Sequence, residues 1–166
     1  GATMSEALYL HGYAHILMGR AAEAIPSLEE AVRLEPNKAE RLNALAQAYE
    51  GVGGRDPVRI ERLYREALRI QPALSDIRLN LGLFLQSRGR LDEARAAYQE
   101  VTESESWNAL GWYNLGTVAL QEGNFDEAQR LLEKSVELNP LDGGALSNLG
   151  LVYLQLNRLS DGQDMM

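Results

Sequence analysis

The sequence predicts an all-α chain of stacked antiparallel helix pairs, and three observations predict it. The triplet Asn-Leu-Gly begins at Asn80, Asn114 and Asn148, at intervals of 34 residues. Around it, bulky and small residues recur three and four apart, the spacing of one helix face. Pro36, Pro72 and Pro140 keep the same beat, with two extra residues in the first interval. Proline cannot continue a helix, so each one closes the second helix of a pair. A single pair cannot bury its apolar face alone. Neighbouring pairs therefore stack, and stability is roughly a sum over repeats and their interfaces.

The pairs follow in order, counting from Ser5. The first, 5–38, carries Leu8, His11, Gly12 and His15 on one helix and Ala24, Leu28 and Ala31 on the next. The second, 39–74, carries Leu42, Leu45, Ala46 and Tyr49, then Ile60, Tyr64 and Ala67. Its two-residue insertion lies near Gly53–Asp56, where Asp56 is expected to cap a helix that opens on Pro57. The third, 75–108, carries Arg78, Leu81, Gly82 and Leu85, then Ala94, Tyr98 and Val101. It lacks the closing proline, which is replaced by Glu103-Ser104-Glu105-Ser106, so that helix end is expected to fray or extend. The fourth, 109–142, carries Trp112, Leu115, Gly116 and Ala119, then Ala128, Leu132 and Ser135. A partial fifth, 143–166, begins with Leu146, Leu149, Gly150 and Tyr153, a face left for self-association; as the alternative, residues 160–166 are expected to fold back over it. Asp92-Glu93 and Asp126-Glu127 open second helices, where carboxylates complement the helix dipole. Small residues such as Gly82 and Gly116 let two helix backbones approach closely.

Composition narrows the class. With 166 residues, 45% apolar and 24% charged, the chain is globular and neither disordered nor collagenous. No apolar run reaches membrane-spanning length, so direct membrane insertion is not expected. Cysteine is absent, which excludes disulfides, thiolate zinc sites and a cysteine nucleophile. The net charge of −8 repels phosphate backbones, so no nucleic-acid partner is expected. Residues 1–74 carry nine basic and ten acidic side chains, and residues 75–166 carry seven and fourteen, so the acidity belongs to the second half. The opening Gly-Ala-Thr-Met has neither the basic region nor the apolar core of a signal peptide, and residues 1–4 read as a tag remnant. The compartment stays open.

The 34-residue pattern resembles the tetratricopeptide repeat (TPR), a helix–turn–helix unit. The resemblance covers everything after residue 4 and implies a right-handed helical solenoid whose first helices line a concave groove. Repeat positions 2, 5, 6, 9, 12 and 13 are implied to face it. The residues expected there include Tyr9, Tyr13, Asn43, Gln47, Leu79, Asn80, Leu83, Tyr113, Asn114, Thr117, Asn148 and Leu151. Asn80, Asn114 and Asn148 form a ladder of amides, and an amide both donates and accepts hydrogen bonds, as a peptide unit does. Family members that glycosylate proteins or bind extended peptides are similar in carrying such asparagines. Members that grip a C-terminal carboxylate use cations on these helices. The matching positions here are Tyr9, Tyr13, Ala44, Asp76 and Asn80, none of them cationic, so that mode is not expected.

Catalytic patterns are missing. No GxGxxG, GxxxxGK[ST] or Gly-x-Ser-x-Gly is present. Gly51-Val52-Gly53-Gly54 precedes a helix and reads as a turn. His11 and His15 stand four apart, a spacing two metal ligands use, but no carboxylate cluster or cysteine completes a site, and they read as structural. No cofactor and no metal are expected. The leading expectation is a protein-interaction module, not an enzyme, that holds another protein or peptide segment in its groove as a scaffold or adaptor. Two alternatives stand beside it: self-association through uncapped terminal repeats, and a substrate-recruiting domain of a larger modifying enzyme such as a glycosyltransferase.

Overall fold

The computed structural model describes residues 3–53 and 56–164, the last seven of them by backbone alone. Among the described residues every regular element is an α-helix. In chain order they are α1 (Met4–Leu17), α2 (Ala21–Leu34), α3 (Ala39–Gly51), α4 (Pro57–Ile70), α5 (Ser75–Ser87), α6 (Leu91–Ser104), α7 (Ala109–Gln121), α8 (Phe125–Leu138) and α9 (Gly143–Asp164). The expected stacked helix pairs are present. The chain divides into two compact units, residues 1–81 and 82–166, with the boundary inside α5.

Local chemistry sets the helix ends. Thr3 caps α1 by accepting from Glu6 N–H at 3.1 Å. Asp56 caps α4 by accepting from Arg59 N–H at 3.0 Å, and Pro57 follows as its first residue, as expected. Asn124 caps α8, whose first turn holds Asp126 and Glu127. Each helix pair reverses through a short turn with a glycine at positive φ: Gly19 (72°), Gly53 (98°), Gly89 (74°) and Gly123 (75°). Only glycine adopts that backbone readily, so these four residues fix where the chain doubles back. Two serines tie the start of a first helix to the end of its partner. Ser5 Oγ donates to Ala31 O at 3.1 Å, and Ser135 Oγ donates to Ala109 O at 3.0 Å.

Two expectations are corrected. Without its proline, α6 neither frays nor extends: it ends at Ser104, with the same 14 residues as α2, α4 and α8. Hydrogen bonds hold that end: Ser104 Oγ donates to Glu100 O at 2.8 Å, Glu105 N–H to Val101 O at 2.7 Å as at the ends of the other second helices, and Asn108 Nδ2 to Glu105 Oε2 at 2.9 Å. The segment after α9's first turns does not fold back either. Residues 160–164 continue α9, a single helix of 22 residues, and 165–166 lie outside the described residues. The cause is legible at Asn157, which stands where the other four repeats have their turn glycine. Deprived of the residue that enters positive φ easily, the helix runs on.

Each unit has its own core. In residues 1–81 it is Ala24, Leu28, Ala44, Leu45 and Ala48, with Tyr9, Ile16 and Leu63 among the half-buried residues packed on it. Ile60, Tyr64 and Ala67 of α4 are also fully buried. In residues 82–166 it is Ala119, Ala128, Leu132, Leu149 and Val152, joined by Tyr113, Phe125 and Leu156. Full burial of one such Leu or Val side chain contributes about 1.5–3 kcal/mol. The units are closely packed because glycines face bulky side chains. A Cβ added at Gly12 would lie 2.5 Å from Leu28 Cγ, at Gly82 2.3 Å from Tyr98 Cε1, and at Gly116 2.7 Å from Leu132 Cγ.

Two arginines of α4 pair with neighbouring carboxylates: Arg65 with Glu61 at 2.7 Å, and Arg69 with Glu66 at 2.7 Å. Such exposed pairs contribute little to stability.

The buried tyrosines make the fold sensitive to alkali. Burial first, then the charge of Glu50, pushes the Tyr64 hydroxyl far above the ordinary tyrosine range. Burial does the same to Tyr98. Tyr49 is pushed up to about 12 by burial and by its bond to Glu29. A folded-state pKa above the unfolded value adds stability that is fully present below about pH 10 and is lost as pH rises through the folded value. Raising the pH from about 9 to about 12 is therefore expected to unfold the chain. Loss of far-UV ellipticity should coincide with the last tyrosinate absorbance to appear; complete ionisation of the tyrosines with helicity intact would count against this.

Candidate functional site on the inner faces of the first helices

In the unit of residues 1–81, α1 presents Tyr9 half-buried and Tyr13 exposed, rings stacked with centroids 5.8 Å apart and planes 22° apart. The Arg41 guanidinium lies 5.7 Å from the Tyr9 ring centre. Burial, with the nearby Tyr13, Glu40 and Glu6, raises the Tyr9 hydroxyl pKa, which Arg41 partly offsets. Arg41 itself is 5% exposed and paired with Glu6 at 3.0 Å and Glu35 at 2.8 Å. On α3, Asn43 Oδ1 accepts from Asn80 Nδ2 of α5 at 3.0 Å, so these two expected residues meet each other. Gln47 is half-buried, and its Oε1 has no partner among the described residues. Leu79 is 3% exposed and belongs to the core, not to an open surface.

In the unit of residues 82–166, a hollow of about 350 Å³ is lined by Leu83, Gln86, Ser87, Tyr113, Asn114, Thr117 and Gln121. Four of the expected residues come together here. Gln86 Nε2 donates to Gln121 Oε1 at 2.9 Å and to Thr117 Oγ1 at 3.2 Å, while Gln86 Oε1 accepts from Tyr98 OH at 2.9 Å. Thr117 Oγ1 in turn donates to Asn114 O at 2.7 Å. Asn114 is 2% exposed, and its Nδ2 has no hydrogen-bond partner among the described residues. A buried amide donor left unpaired costs about 1–3 kcal/mol. Asn148 on α9 is half-buried, and Leu151 is 51% exposed. The three amides thus differ: Asn80 is already paired, Asn114 is enclosed, and Asn148 is partly open.

Gln86, Ser87 and Gln121 were not among the residues named from sequence, although repeat positions 12 and 13, which they occupy, were implied to face the groove. Arg41 and a larger hollow of about 510 Å³ over Ala22, Ile25, Pro26, Tyr49, Val52, Asp56 and Arg59 were not foreseen. His11 is exposed, bonded to Ser27 Oγ at 2.9 Å and edge-on to His15 with ring centres 4.7 Å apart. Among the described residues, no three potential ligands gather into a metal-binding group, and no helix is long and apolar enough to cross a membrane.

Three family models, each described as a tetratricopeptide repeat, match residues 5–38, 74–104 and 113–162. Together they take in well over half of the chain. This chain belongs to the tetratricopeptide-repeat family. Among solved structures, the TPR chain is similar to PilF of Pseudomonas aeruginosa, at 22% identity and a TM-score of 0.84, covering 97% of this chain and 72% of that one. MamA of Desulfovibrio magneticus RS-1 is similar at 18% identity and a TM-score of 0.80, with 98% and 91% covered. YrrB, a TPR protein with an unusual peptide-binding site, is similar at 24% identity and a TM-score of 0.72, with 86% and 73% covered. A curated relative is the BBSome complex member BBS4 of Bos taurus, 31% identical over 94 residues, which are 57% of this chain. That match spans 18% of the relative's length.

Proposed function

We propose that this TPR chain is a protein-interaction module that holds an extended segment of another protein against the inner faces of its first helices. The observation that carries this reading is the hollow on α5 and α7, where the buried, unpaired Asn114 Nδ2 lies beside the Gln86–Thr117–Gln121 network. A peptide carbonyl is the acceptor such a donor lacks, and the amide and hydroxyl groups around it both donate and accept. Leu83, 47% exposed at the rim, supplies an apolar contact. In the other unit, the stacked Tyr9 and Tyr13 offer an aromatic anchor of the kind common at interfaces. The likeness to YrrB, a peptide-binding TPR protein, and to BBS4, a member of a complex, supports placing the module in a larger assembly. The repeat boundaries 5–38, 39–74, 75–108, 109–142 and 143–166 are part of the same reading.

A displayed library of unstructured peptides, selected on the chain, tests it. Enriched peptides are expected to lose about tenfold in affinity on Asn114→Ala, the worth of one well-placed hydrogen bond to a buried group. Leu83→Asp should weaken them as well. Far-UV circular dichroism should stay unchanged in both variants. Selected peptides that bind both variants as tightly as the parent would refute the groove.

A further inference from the structure

We propose that the hollow over α2 and the α3–α4 turn is a second docking site. It takes a segment of a partner protein that presents one large apolar side chain beside a lysine or arginine. The argument begins with Pro26, which stands inside α2. Proline has no N–H, so the Ala22 carbonyl one turn back loses its helical donor. Among the described helices no other carries an interior proline. Pro57 is the first residue of α4, and Pro36, Pro72 and Pro140 lie between helices. An interior proline weakens a helix. Pro26 is exposed, so no core contact offsets that weakening. Its ring and Ala22 instead line the hollow of about 510 Å³. A rule of helix building broken with no gain to the fold marks a position kept for function.

The surroundings name the occupant. Ile25, Tyr49 and Val52 give the hollow an apolar lining. Tyr49 is pinned there: the Arg59 guanidinium lies 4.5 Å from its ring centre, and its hydroxyl donates to Glu29. Arg59 also donates to Glu29 at 3.2 Å, so those two charges offset each other. Asp56 remains. Its Oδ1 accepts from Arg59 N–H at 3.0 Å in the cap of α4, and the residue is exposed. A carboxylate has room for further donors. The hollow is thus bordered by two acceptors, the Ala22 carbonyl and the Asp56 carboxylate. A peptide N–H suits the first and a cationic side chain the second, whereas an acidic segment would meet like charge. Five of the seven lining residues are exposed. A site so open admits a side chain from a protein surface, whereas a small-molecule pocket encloses about 70–90% of its ligand. Val52 and Asp56 bracket the two-residue insertion, so the site is a departure from the repeat framework.

The probe is a displayed library of unstructured peptides, selected on the full chain and depleted on an Ala22→Trp chain, whose new side chain fills the hollow. The peptides recovered are expected to place a Leu, Met or Phe next to a Lys or Arg. Asp56→Asn keeps the cap, because asparagine caps as well as aspartate, and should weaken these peptides by about threefold or more at low salt. Pro26→Ala returns a donor to the Ala22 carbonyl and removes the ring. It should weaken them by about tenfold while raising the thermal midpoint by about 5 °C. A variant that is more stable and binds less well is the result a purely structural proline would not give. Asn114→Ala should leave these peptides unaffected, so this site and the hollow on α5 and α7 stand or fall separately. Recovery of no peptide, recovery of acidic peptides, or equal binding by the Asp56→Asn or Pro26→Ala chain would each overturn the proposal. So would a dimer in sedimentation that Ala22→Trp dissociates, since the hollow would then belong to a second copy.

Discussion

Leu132→Ala is expected to cost about 2–5 kcal/mol, the range for truncating a fully buried leucine. For a chain of this length each kcal/mol lowers the thermal midpoint by roughly 2–4 °C. Leu132 is 0% exposed and sits among Ala119, Ala128, Leu149 and Val152, at the centre of the core of residues 82–166. Its Cγ also fills the notch over Gly116. Two features hold the cost toward the upper end. Gly116 has no side chain to lean into the void, and three of the remaining walls, Ala119, Ala128 and Val152, are short and themselves fully buried. The cavity therefore stays open. Urea unfolding followed by circular dichroism gives the difference directly, and a loss below about 1 kcal/mol would mean that the site collapses.

Gly82→Ala and Gly150→Ala should change stability in opposite directions, although the two glycines hold the same place in their repeats. At Gly82 the new methyl would lie 2.3, 2.8 and 2.9 Å from three atoms of the Tyr98 ring. That ring is fully buried, and its hydroxyl is held by Gln86 Oε1 at 2.9 Å, so it has little room to retreat. Overpacking of this kind costs about 1–3 kcal/mol. At Gly150 the methyl meets open space, and only the helical preference of alanine remains, a gain of about 0.5–1 kcal/mol. Parallel thermal melts decide the matter. Shifts of the same sign would show that the notch at Gly82 is not tight, or that the one at Gly150 is not open.

Much of this was legible in the sequence. The 34-residue beat named the helix pairs, and the offsets named Gly82, Gly116, Leu28 and Leu132 as contact residues, because helical spacing depends on sequence alone. Where reading stopped is equally physical. The end of α6 looked unsupported because its proline is missing, but Ser104, Glu105 and Asn108 close it through bonds that no spacing rule announces. Asn157 was visible all along as a departure from Gly19, Gly53, Gly89 and Gly123, yet an asparagine tolerates positive φ better than most residues, so sequence alone did not decide between turn and helix. Within the candidate site, helical spacing assigns a side chain to a face and says nothing of the neighbour's bulk. Asn80 finds Asn43 opposite it, and Asn114 is enclosed, so three residues in one register have three different environments.

The hydrogen bonds that tie helix to helix are short in another sense. Ser5 reaches Ala31 across 26 residues of chain, Gln86 reaches Gln121 across 35, and Asn80 reaches Asn43 across 37. Closing a loop costs only about 0.6 kcal/mol more for each doubling of its length, so these three closures are nearly equal in entropy. Low contact order of this kind is what lets helical chains find their native contacts in milliseconds or less, on the order of a thousandfold faster than sheets built from distant strands. Neither unit waits on a distant segment before its own contacts begin to form.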